Sequence, residues 1–66
     1  MSRMTKIEFE RRKAGITQSE LAAKLGVSTG CVSFWENSRT TPTVDKVQKM
    51  AQILSVPMEN LVGYCK

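Results

Sequence analysis

The sequence predicts an all-α fold of five short helices, and three observations predict it. Apolar residues recur at helical rather than alternating spacing, most plainly Val44, Val47, Met50, Ala51 and Leu54. Residues that cap helices, Thr5, Thr17, Ser28 and Thr43, each stand just before a periodic stretch. Gly15, Gly26, Pro42, Pro57 and Gly63 then punctuate the chain between those stretches. No stretch reads as a credible strand.

The first helix is expected over residues 5–14, with Thr5 and Glu8 spaced as a capping box. Ile7, Arg11 and Ala14 share a face and Phe9 lies to the side. Arg11, Arg12 and Lys13 fall in the last turn, where cations complement the helix dipole. Phosphate binding is the competing role for that cluster. The second helix covers Gln18–Leu25: Thr17 caps it, Glu20 completes a capping box, and Leu21, Ala22 and Leu25 repeat helically. Gly26 stands where the helix ends, since a left-handed residue is cheapest as glycine. Val27 is the apolar residue of the turn, and Ser28 caps the third helix, over residues 29–37. There Val32 and Trp35 point inward with Cys31, and Thr29, Gly30, Ser33, Phe34 and Asn37 occupy the opposite face. A three-residue turn holding a glycine sets two helices at a steep angle, as in DNA-binding helix-turn-helix units.

After a polar loop over 38–42, Thr43 caps the fourth helix, whose apolar stripe runs from Val44 to Leu54 with Asp45 in the first turn. A short fifth helix follows, with Pro57 near its first position and Met58, Leu61 and Val62 as its apolar residues. Sixty-six residues suit one domain, with a core over 5–62, a short flexible N-terminal arm carrying Arg3 and a C-terminal tail.

Composition excludes several functions. With 41% hydrophobic and 24% charged residues the chain can bury a core, so disorder is not expected. No run approaches the length of a membrane span and the N-terminus lacks a signal peptide's apolar region, so a cytoplasmic address and no membrane partner are expected. The absence of histidine rules out Cys/His zinc sites and histidine acid–base chemistry. Cys31 and Cys65 form no CxxC pair: Cys31 reads as a small, partly buried helix residue and Cys65 as a reduced thiol at a frayed end. No metal or cofactor is expected. Without a Gly-rich phosphate loop or clustered carboxylates, the chain does not read as an enzyme.

The net charge of +4 is unevenly spread. Residues 1–13 carry five positive and two negative charges, residues 14–36 carry Lys24 against Glu20 and Glu36, and residues 37–66 carry four against two. The central helix pair is therefore not itself basic. If it meets nucleic acid, base and charge contacts must come from different segments.

From about Ile7 to Val62 the chain resembles the Xre/Cro/lambdoid-repressor helix-turn-helix family. The resemblance rests on ITQSELAAKLGVS, VSFWEN and ILSVPMENLV in this order and spacing. It implies a lambda-repressor-like five-helix domain that places the third helix in the major groove of double-stranded DNA, commonly as a dimer. By position it implies base contacts from Ser28, Thr29, Gly30, Ser33 and Phe34, and phosphate contacts from Thr17, Gln18, Asn37, Arg39 and Thr40. It also implies that Gln18 buttresses the third helix, and that Arg11 and Glu36 form a structural salt bridge from the first helix to the end of the third. The chain departs from the family in its recognition helix, which lacks the Gln, Asn or Arg that pair with adenine or guanine there. Gly30 either admits close approach or a thymine methyl, or simply weakens the helix by about 1 kcal/mol relative to alanine. Phe34 can pack on thymine methyls or sugars, bind a protein, or fold back onto a neighbouring helix.

Two functions fit. The first is a sequence-specific regulator, a repressor that binds an inverted-repeat operator as a homodimer. Amides of the second and fourth helices and Gln18, Asn37, Arg39, Arg3 or Lys46 would then meet phosphates, and Met58, Leu61, Val62 and Tyr64 would be dimer candidates unless they are core. The second is a protein-interaction module on the same fold, an antirepressor or an antitoxin, motivated by the near-neutral central unit and Phe34.

Overall fold

A computed structural model describes residues 4–64. Arg3, in the expected N-terminal arm, and Cys65 lie outside the described residues. The elements are α1 (Lys6–Lys13), α2 (Gln18–Leu25), α3 (Thr29–Glu36), α4 (Val44–Leu54) and a 3-10 turn at Met58–Leu61.

Each α-helix starts on a hydroxyl cap. Thr5, Thr17, Ser28 and Thr43 accept from the backbone N–H groups of Glu8, Glu20, Cys31 and Lys46 at 3.0–3.4 Å. At α2 the box is complete, because the Thr17 N–H donates back to Glu20 Oε1 at 2.9 Å. At α1 the Glu8 carboxylate turns to Arg12, one helical turn on, at 2.6 Å.

All four helices also end alike, through a left-handed residue followed by an N–H that reaches back to the last turn. The left-handed residues are Gly15, Gly26, Ser38 and Ser55. The returning bonds are Ile16 to Arg11, Val27 to Ala22, Arg39 to Phe34 and Val56 to Ala51, from N–H to carbonyl. Glycine takes this conformation without a Cβ clash; Ser38 and Ser55 do not have that freedom.

The core comprises Ile7, Leu21, Ala22, Leu25, Val32, Trp35, Val47, Met50, Ala51, Leu54 and Leu61. Helix α2 packs against α3 and α4, and α1 packs against α3 and the 3-10 turn. Packing of α2 on α3 buries the inward residues of both and leaves one side of α3 uncovered. No helix among the described residues is long and apolar enough to cross a membrane.

Several expectations need correction. The fifth helix is a single 3-10 turn, with the Asn60 N–H bonded to the Pro57 carbonyl, because only four residues separate Pro57 from extended Val62. The α4 stripe begins at Val47: Val44, at the first helical position, is 71% exposed. Ala14 is the exposed cap of α1 rather than part of its inner face. Glu10 is buried, which the sequence pattern did not signal. Finally, the chain after the 3-10 turn runs back to the start of α1. Tyr64 and Thr5 form an antiparallel bridge and the Lys6 N–H donates to the Gly63 carbonyl at 3.0 Å.

Candidate nucleic-acid interface

Helix α3 divides into two sides. Inward, Val32 and Trp35 are core residues and Cys31 is half-buried. Outward, Thr29, Gly30 and Phe34 are exposed, and Phe34 keeps 49% of its surface in water. Ser33 is half-buried and accepts a hydrogen bond from Asn37 Nδ2 at 3.3 Å. The Ser28 hydroxyl is engaged in capping and points its acceptor at the helix rather than outward.

Glu36, at the end of α3, anchors the helix from inside. Its carboxylate accepts from Arg11 Nε at 2.6 Å and from the Arg11 terminal Nη2 at 3.2 Å, a bidentate pair with both side chains largely out of water. Gln18 Nε2 donates to the same carboxylate at 2.9 Å. Arg11 also reaches the Ile16 carbonyl at 2.8 Å, so one guanidinium ties α1, the α1–α2 connection and α3 together. The Thr5 hydroxyl donates to the Glu36 carbonyl at 3.3 Å. Gln18 is thereby a brace for α3 in this structure, and Thr17 a cap for α2.

The three cations at the end of α1 have different surroundings. Arg11 is buried on Glu36, Arg12 pairs with Glu8, and Lys13 lies 6.0 Å from the centre of the Phe9 ring. Lys46 extends its ammonium to the Leu25 carbonyl at 3.4 Å, complementing the C-terminal end of α2. Arg39, by contrast, is exposed and has no ion pair among the described residues. It lies three residues beyond the end of α3, between exposed Asn37 and Thr40. The Glu20 carboxyl sits below its usual range because the Thr17 amide, and then the Thr17 hydroxyl, stabilise its ionised form.

Sequence reasoning missed the contacts that depend on the path of the chain. Tyr64 donates its hydroxyl to Ser38 Oγ at 2.5 Å, fastening the C-terminal segment to the residue that ends α3. No local pattern pairs residues 26 positions apart. Of the dimer candidates, Leu61 is core, whereas Met58, Val62 and Tyr64 are exposed.

The arrangement is a braced helix presenting an uncharged face of Thr29, Gly30, Ser33 and Phe34, with exposed Arg39 beyond its end. Its likenesses agree with that reading. The family described as Helix-turn-helix matches residues 7–61. An uncharacterized HTH-type transcriptional regulator of Archaeoglobus fulgidus is 35% identical over 57 residues, covering 86% of this chain and 81% of that protein. The HTH-type transcriptional regulator ImmR of Bacillus subtilis is 32% identical over 63 residues, which is 96% of this chain but 50% of ImmR. The solution structure of the DNA-binding domain of the P22 C2 repressor matches with a TM-score of 0.79 at 28% identity, covering 92% of this chain and 84% of that one.

Proposed function

The chain belongs to the helix-turn-helix family of transcriptional regulators, of the Xre/Cro/C1 type, and on that premise we propose that it represses transcription by binding an inverted-repeat operator as a dimer. The family is not an enzyme family, and its fold here is that of a repressor DNA-binding domain. Double-stranded DNA is the partner this implies.

The observation that carries the reading is the two-sided α3. Its inner side is locked by Arg11, Gln18 and Thr5, and its outer side is left to water. A recognition helix needs both properties, because groove contacts tolerate little looseness. In this reading Thr29, Ser33 and Phe34 meet base edges in the major groove, with Ser28 and Gly30 at the close-approach end. Arg39, Asn37 and Thr40 meet phosphates on one side and the N-terminus of α2, with Thr17 and Gln18, on the other. Two copies, joined through exposed Met58, Val62 and Tyr64, would present two α3 helices about 34 Å apart. The match spans half the length of ImmR.

The test is fluorescence anisotropy with random duplex DNA over a salt series, followed by selection of operators from random DNA. Binding that weakens linearly with log salt, and enrichment of a palindrome, are the expected results. No binding even at low salt would overturn the reading and favour a protein partner at Phe34. Enrichment of a single, non-repeated site would overturn the dimer.

A further inference from the structure

The outer face of α3 is unusual in what it lacks. Residues 28–34 contain no Arg, Lys, Gln, Asn or Glu, the side chains that read major-groove edges through paired hydrogen bonds. Asn37, the nearest amide, donates to Ser33 Oγ, so those two polar groups are engaged with one another. The remaining outward surface is the Thr29 side chain, the bare Gly30 backbone and the Phe34 ring. The Thr29 hydroxyl can bond to either kind of base edge, whereas the apolar part of this face, Gly30 and the Phe34 ring, has one partner in that groove, the 5-methyl group of thymine.

Gly30 lies at the second position of α3 and has an ordinary helical backbone, so no left-handed conformation demands glycine. A Cβ placed there would meet only Ser28 Oγ at 3.9 Å, an ordinary contact, so packing does not demand it either. Glycine inside a helix nevertheless costs stability relative to alanine. The missing side chain is therefore not demanded by the packing, and the space it leaves is open to the outside. Phe34, four residues on, neighbours Gly30 on the same helix face and keeps about half of its surface in water. The gap lies in the first turn, the part of a recognition helix that approaches base edges.

We propose that α3 selects its site by receiving a thymine 5-methyl group in the space left by Gly30, against the ring of Phe34. This rests on the DNA-binding reading above, and names the base feature that the face is built to read. Because one methyl carries the contact, the specificity is for thymine at a fixed place rather than for overall base composition.

The experiment starts from duplexes enriched from random DNA by the wild-type chain. Each thymine is then replaced in turn by uracil, which removes the methyl and leaves the pairing edge intact. Uracil at one place in each half-site is expected to weaken binding by about fourfold, the effect of one buried methyl. Phe34→Ala is expected to bind the enriched duplex more weakly and to lose most of that distinction. Gly30→Ala is expected to raise the thermal midpoint yet weaken binding, so that the loss cannot come from unfolding. Uracil tolerated within about twofold at every place, in a duplex still preferred to random DNA, overturns the inference and leaves DNA binding standing. Undiminished binding by Gly30→Ala overturns it as well. If no duplex is enriched, the DNA-binding reading falls, and this inference with it.

Discussion

The two sides of α3 are built by opposite rules. On the inner side Val32 is fully buried, Trp35 and Glu36 are 6% exposed, and the Glu36 carboxylate holds three hydrogen bonds from Arg11 and Gln18. On the outer side Thr29, Gly30 and Phe34 touch little of the protein, and the face carries no charge. Stability and recognition are thus separate properties of one eight-residue helix. The inner side fixes where the helix stands, and the outer side is free to be whatever its partner requires. Substitutions should therefore sort by side, some moving the melting transition and others moving only binding.

The largest expected effect lies on the inner side. Glu36→Ala would leave the Arg11 guanidinium buried without its counter-charge and Gln18 without its acceptor. Removing one partner of a buried pair costs about 3–5 kcal/mol. A core of this size supplies about the same total, so the variant should be largely unfolded at room temperature by circular dichroism. Arg11→Met combined with Glu36→Leu should recover much of the loss, because neither buried charge then remains. A double variant no better than the single one would show that the ion pair is not what fastens α1 to α3.

A smaller effect separates the outer face from the cation beside it. Arg39→Ala should weaken binding to every duplex and reduce the salt slope by about one, the signature of a single lost phosphate contact. Thr29→Ala should leave the slope unchanged and alter which duplexes are preferred. Both variants should melt with the wild type, since neither side chain has a buried partner. Equal losses on selected and random duplexes for the two variants would sink this division of roles.

Much of the inner side was legible in the sequence, because capping and periodicity are local. Thr17, Glu20, Gly26 and Ser28 fix α2, the turn and the start of α3 through contacts within four residues. The Val47-to-Leu54 stripe repeats at the helical period. What the sequence misplaced lies at the ends, where local rules compete with tertiary ones. Pro57 and Met58 suit a helix start, but four residues before an extended return to α1 hold only a 3-10 turn. In the basic cluster Arg11–Lys13, the fold buries Arg11 on Glu36 and leaves Arg12 and Lys13 exposed beside Glu8 and Phe9, a division that no local pattern in the sequence shows. The outer face was legible as a list of residues only. Whether Phe34 pointed outward depended on the angle between α2 and α3, which no local pattern encodes.

The smallest expected effect tests where the two sides of α3 meet. Ser38 and Ser55 both end helices in the left-handed conformation, at φ of 60° and 57°. A side chain in that conformation costs about 1–2 kcal/mol, and glycine's greater freedom in the unfolded chain offsets about half of the gain from relieving it. Ser55→Gly, whose hydroxyl makes no hydrogen bond among the described residues, should stabilise by about 0.5 kcal/mol, or about 2–4 °C in Tm. Ser38→Gly relieves the same strain but loses the Tyr64 hydrogen bond, worth a similar amount, and should leave Tm nearly unchanged. Tyr64→Phe should then cost stability in the wild type and nothing further in Ser38→Gly. Were Ser38→Gly to stabilise as much as Ser55→Gly, the Tyr64 bond would contribute nothing. The C-terminal segment would then have no hold on the end of the helix that presents the outer face.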